Sequence, residues 1–163
     1  MKGKSRGLAL TAVFAALYAV LVLALAGISF QLVQVRVADA LIPLSMIFGW
    51  PVIIGVAVGA VVANVATPMP SVLVDVTFGS LANLIASLLA WKVGNSKWLN
   101  KVAGEFLGCV CSTLAVTFIV GTYLAVLTKM ELWIWWLGIG IGSVISINII
   151  GYMLMRIIKK LMG

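Results

Sequence analysis

Histidine is absent from this sequence, and aspartate and glutamate together supply four of its 163 residues. Without histidine the commonest metal ligand and general base is missing. Four acids leave little for acid–base or nucleophilic chemistry. No metal-ligand cluster can be built from what remains, so neither an enzyme nor a metal or cofactor site is expected. The two cysteines, Cys109 and Cys111, stand two apart in an apolar run. Helical geometry turns i and i+2 to different faces, so they neither bridge nor chelate. No GxxxxGK[ST] segment occurs, which excludes ATP hydrolysis by that route. Gly138-Ile-Gly140-Ile-Gly142 imitates a phosphate loop, but it lies inside an apolar run with no strand before it.

Charge is scarce as well. Charged residues make up 9% and hydrophobic residues 64%, whereas soluble domains carry about 25% and about 45–50%. The apolar excess must face lipid, so the fold class expected is an all-α integral membrane protein. At roughly 20 residues per span the length allows a six-helix bundle forming one transmembrane domain over residues 1–163. No nucleic-acid or ATPase module has room. The spans expected are about 7–29, 37–49, 51–66, 73–91, 102–127 and 132–157, the second short. Gly49-Trp50-Pro51 and Thr67-Pro68-Met69-Pro70 supply breaks. The apolar stretch after Lys2, Lys4 and Arg6 outruns the 7–15 residues of a typical signal-peptide core, so it reads as an uncleaved first helix.

The net charge of +7 reads as a topology signal rather than a nucleic-acid surface. With six spans both termini share a side with Lys2, Lys4, Arg6, Lys92, Lys97, Lys101, Arg156, Lys159 and Lys160. Only Arg36 and Lys129 fall opposite. Cytoplasmic loops carry the excess of lysine and arginine, so a plasma-membrane protein with both termini in the cytoplasm is expected. Trp133, Trp135 and Trp136 suit an interfacial aromatic belt.

Polar residues at membrane depth are the sharpest signal, because burying them unpaired costs several kcal/mol. Gln34, Arg36, Asp39, Asn64, Asp75, Asn83 and Ser143 are the candidate ligand contacts. Arg36 and Asp39, three apart, could pair on one helical face. Asn64 ends the third span, Asp75 begins the fourth, and Asn83 lies eight residues further along the same face. Together with the 29–39 segment they converge on a pocket opening outward. Small residues recur at spacing four: Ala12 with Ala16, Ala15 with Ala19, Gly55 with Gly59, Gly104 with Gly108, and Gly138 with Gly142. Such pairs let backbones approach closely. The glycines read as packing inside the bundle, whereas the alanines of the first helix could dock another subunit.

Three segments carry a family resemblance. Ile28-Ser-Phe-Gln-Leu-Val-Gln-Val-Arg-Val-Ala-Asp-Ala-Leu41, Gly55-Val-Ala-Val-Gly-Ala-Val-Val-Ala-Asn64 and Asp75-Val-Thr-Phe-Gly-Ser-Leu-Ala-Asn-Leu84 resemble the QueT family in the right order. The opening Ala15-Ala-Leu-Tyr-Ala19 looks similar too. The resemblance implies the substrate-binding S component of an energy-coupling factor (ECF) transporter. Its implied cargo is a queuosine precursor, a 7-deazaguanine, and its implied partners are a transmembrane T component and two cytoplasmic ATPases. It also implies that Ala12, Ala15, Ala16 and Ala19 form the docking face. The sequence departs from the usual family residues at Asp39 (glutamate), Asn83 (threonine) and Ser143 (glutamate). A stand-alone transporter using Asp39 or Asp75 as proton carrier is the alternative reading.

Overall fold

The computed structural model describes residues 2–163, with side chains from Ser5 onward, so Lys2 and Lys4 of the basic cluster lie outside the described side chains. Every regular element among them is a helix. In chain order these are α1 (Lys2–Ala24), the single turn α2 (Ala26–Ser29), α3 (Val37–Phe48), α4 (Trp50–Asn64), α5 (Val72–Gly94), α6 (Lys101–Thr128) and α7 (Leu132–Met162). Four are long and apolar enough to cross a bilayer: Ser5–Ala24 within α1, then α5, α6 and α7. The other two apolar helices, α3 and α4, fall short of that length.

Local chemistry sets the breaks. Ser71 caps α5 by accepting from the Val74 N–H at 3.4 Å, and Asn100 caps α6 by accepting from the Ala103 N–H at 2.8 Å. Gly49 takes φ +64° between α3 and α4, a conformation that costs glycine least, and Pro51 pre-sets the first turn of α4. Residues 37–44 of α3 are wound as a 3₁₀ helix around Pro43, whose ring nitrogen offers no N–H to an α-helical ladder.

Side-chain contacts order the helices by depth. At one end of the bundle Asn64 meets the Asp75 carbonyl, and at the other the rings of Trp50 and Trp91 lie 5.9 Å apart. The fifteen residues of α4 therefore run beside nearly all of α5. The path of α3 is different. Asp39 shares a hydrogen-bond chain with Asn83, midway along α5, and Met46 lies against Gly94 at its end. On α5 that interval rises about 16 Å, half a bilayer. The chain before α3, residues 30–36, is irregular rather than helical.

That chain lies on glycine. A Cβ at Gly138 or Gly142 would fall on the carbonyl oxygens of Leu32 and Gln34, well inside contact distance, and one at Gly151 would sit 3.0 Å from the Ala40 carbonyl. The Gly138–Gly142 pair thus packs inside the bundle, and what it receives is bare backbone. A second close approach joins α1 to α4, where Gly59 would place a Cβ 2.6 Å from the Ala15 carbonyl oxygen. Within α7, residues 144–151 are wound as a π-helix. Its buried positions Ile139, Ser143, Ile147, Gly151 and Met155 recur every four residues. In a plain α-helix that row would drift about 40° per step. The wider turn, about 4.4 residues, keeps Gly142 and Gly151 on the side facing residues 32–43.

The three tryptophans at the start of α7 divide. Trp133 is exposed, but Trp135 is buried, donating its ring N–H to Thr128 Oγ1 at 2.8 Å. Trp136 donates to Thr122 and packs edge-on against Phe118.

Gly142→Ala should force the 32–34 backbone off α7. We expect thermal unfolding in detergent to fall by several degrees, as for overpacking costs of about 1–3 kcal/mol. Gly27→Ala, where an added Cβ meets nothing within 4 Å, should leave the midpoint unchanged.

Candidate functional site

Near the last turns of α1 and the first turns of α7, the 30–36 chain delivers a cation into the bundle. Gln34 donates through Nε2 to the Ser29 carbonyl and closes the chain into a loop, and Val35 N–H donates to the Val33 carbonyl at 3.2 Å. Residues 31–33 are exposed, and burial begins at Gln34. Arg36, 5% exposed, follows, with its guanidinium carbon 5.5 Å from the centre of the Phe30 ring. Around it stand Tyr18, Asp39, Tyr123 and Asp75, drawn from α1, α3, α6 and α5. Its Nε has no hydrogen-bond partner.

Two hydrogen-bonded groups flank this cation. On the deeper side Asn83 Nδ2 donates to the Tyr18 hydroxyl at 2.6 Å, and that hydroxyl donates to Asp39 Oδ1 at 2.6 Å. Ser87 Oγ, one turn on, donates to the Asn83 carbonyl at 2.8 Å. On the other side, toward the start of α5, Tyr123 donates its hydroxyl proton to Asp75 Oδ1, and Asn64 Nδ2 donates to the Asp75 carbonyl at 3.0 Å. Gly79 makes room for the Asn64 amide, since a Cβ there would overlap Nδ2. Phe78 packs on Tyr123 with ring centres 5.9 Å apart.

Six of the seven sequence-derived ligand candidates therefore lie along this region. Asp39 with Asn83 forms the lower group, Asp75 with Asn64 the upper one. Arg36 lies between them, and Gln34 braces the loop. Ser143 is buried on α7 beside Gly142, but no hydrogen bond among the described residues ties it to the cluster. The Arg36–Asp39 pair read from the sequence is not formed. Arg36 precedes α3 in an extended conformation, so the i, i+3 geometry of a helix does not apply, and the Asp39 carboxylate bonds to Tyr18 instead. The site also runs deeper than an outer pocket, reaching the middle of α1 and α5. Sequence reasoning missed Tyr18 and Tyr123. Their signal was present: a phenol in an apolar span needs a partner for its hydroxyl.

What the arrangement offers is a mixed set of unused valences. Arg36 Nε is a buried donor, Asp75 Oδ2 and Asn64 Oδ1 are buried acceptors, and none of the three is paired. Such groups cost about 1–3 kcal/mol each when left unmet.

The four alanines assigned to docking divide. Ala12 and Ala16 are exposed on α1. Ala15 faces Gly55 and Gly59 of α4, and Ala19 is buried. The four therefore do not share one free face.

Tyr18→Phe should strip Asp39 and Asn83 of their shared hydroxyl. Unfolding in detergent is expected to show a loss of about 1–3 kcal/mol, whereas Tyr152→Phe, whose hydroxyl makes no side-chain bond among the described residues, should show little change.

Among curated proteins and among solved structures, none matches this chain. A family model described as QueT transporter matches residues 8–160, nearly the full length. With that match and a bundle of lipid-facing helices around a buried polar site, the chain belongs to the QueT transporter family.

Proposed function

We propose that this chain is the S component, the membrane-embedded substrate-binding subunit, of an ATP-driven ECF importer, and that its cargo is a 7-deazaguanine precursor of queuosine. The observation that carries the cargo reading is the set of unpaired atoms at Arg36, Asp75 and Asn64. A guanine-type edge presents two N–H donors beside a carbonyl acceptor. The donors suit Asp75 Oδ2 and Asn64 Oδ1, and the carbonyl suits the Arg36 guanidinium. Tyr18, Tyr123 and Phe30 supply flat apolar faces for the ring. A T component and two ATPases would supply the energy, in keeping with the lack of a phosphate-binding motif. On α1 the docking face reduces to Ala12 and Ala16, the exposed pair.

We read the topology as six crossings with both termini in the cytoplasm. The second crossing is the 30–36 chain followed by α3, and the third is α4 lying along α5. Nine basic residues against two support this orientation.

One observation favours a stand-alone proton-coupled carrier: Asp39 lies at half depth, bonded to Tyr18, rather than near the surface. The two readings separate in liposomes. Sustained uptake by the purified chain under a pH gradient, abolished by Asp39→Asn, would overturn coupling to ATPases. Co-purification with a T component and two ATPases, with uptake only when ATP is present, is the expected result.

For the cargo, calorimetry on the purified chain should detect tight binding of 7-deazaguanines and much weaker binding of adenine. Arg36→Ala and Asp75→Asn should each weaken it about 10–100-fold, the worth of a hydrogen bond to a charged group. No binding of any deazaguanine would sink the cargo assignment.

A further inference from the structure

At the end of the bundle opposite the Arg36 site, the first turns of α6 meet the last turns of α7 around a fully buried acid. Glu105 is 1% exposed and accepts from Arg156 Nη1 at 2.9 Å and from Lys159 Nζ. Above it opens a cavity of about 470 Å³ lined by Lys101, Arg156, Ile157, Lys159 and Lys160. Four cations face one carboxylate there, an excess of three positive charges. The carboxylate fixes two of the cations between the helices, whereas Lys101 and Lys160 form no side-chain hydrogen bond or ion pair among the described residues. The positive end of α6 opens on the same space, since Lys101 is its first residue.

The flanks of this cavity are apolar. Val102 and Phe106 on α6, and Met153, Ile157 and Leu161 on α7, are each at least half exposed. Lysines that only mark a cytoplasmic boundary extend into water from separate helix ends. These are gathered over one buried acid in a recess between two spans, with lipid-facing side chains on both sides. The ligand that fits both halves has an anionic head and hydrocarbon tails.

We propose that this recess binds the phosphate headgroup of an anionic phospholipid, with the acyl chains lying along Phe106, Met153 and Ile157. Lys101 and Lys160 hold the phosphate oxygens, while Glu105 keeps Arg156 and Lys159 from folding outward. The site is independent of the cargo, being at the other end of the bundle.

Native mass spectrometry of the purified full chain, titrated with phosphatidylglycerol and separately with phosphatidylcholine, tests this. One phosphatidylglycerol is expected to be retained under conditions that strip phosphatidylcholine. In Lys101→Gln/Lys160→Gln its affinity should fall on the order of 30-fold, from about fivefold per lysine. Both lysines are outside the ion pairs at Glu105, so the variant keeps its fold, and an unchanged unfolding midpoint in detergent alone checks this. Equal retention of the two lipids, or an unchanged affinity in the double variant, overturns the proposal. If inorganic phosphate displaces the lipid at matching concentration, the site is one for free phosphate and the lipid assignment fails.

Discussion

Residues 30–36 run as irregular backbone beside the first turns of α7, one of the helices long and apolar enough to cross a bilayer, where unpaired N–H and C=O groups would find no water. Such a chain is tolerated at that depth only if protein surrounds it, and the molecule is arranged to do so. Gly138 and Gly142 bring the α7 backbone against the carbonyls of Leu32 and Gln34. Gln34 turns its amide back onto Ser29, and α3 carries the chain on toward the far end of α5. Because residues 30–36 are loop, their side chains do not follow helical spacing, and the two that are buried are Gln34 and Arg36.

A guanidinium is always charged, and burying it without compensation costs several kcal/mol. Two aspartates on different helices answer it, yet neither closes to an ion pair, since each is already engaged by a tyrosine. The tyrosines hold the carboxylates in place and keep them from collapsing onto the cation. What results is a set of charges held apart with unused hydrogen-bonding capacity, where two closed salt bridges would have left none.

Much of this was legible in the residues. The scarcity of charge pointed to the membrane, and the prolines at 43, 51, 68 and 70 together with Gly49 lie in or beside the irregular windings and breaks. Gln34, Arg36, Asp39, Asn64, Asp75 and Asn83 stood out because polar groups are costly in such surroundings. The half-depth of Asp39 was not legible, since hydropathy counts residues and cannot tell a helical crossing from a loop that descends into helix. Nor was the division of the α1 alanines. Spacing four places Ala15 and Ala19 on one stripe, but whether that stripe meets a partner or Gly59 of the same chain is a tertiary matter. Tyr18 and Tyr123 went unnoticed because a phenol passes for an apolar residue in any composition count.

The π-wound stretch of α7 bears on how this chain compares with its relatives. Eight residues of wide turn hold one residue more than a straight helix of the same rise would use. Losing one there would swing everything beyond by about 100°, carrying Arg156 and Lys159 off Glu105 while leaving the loop seat at Gly138 and Gly142 untouched. The two ends of this helix are therefore phased independently, and in an alignment a single-residue gap between 144 and 151 would mark a relative in which the C-terminal end of the helix is built on a different face.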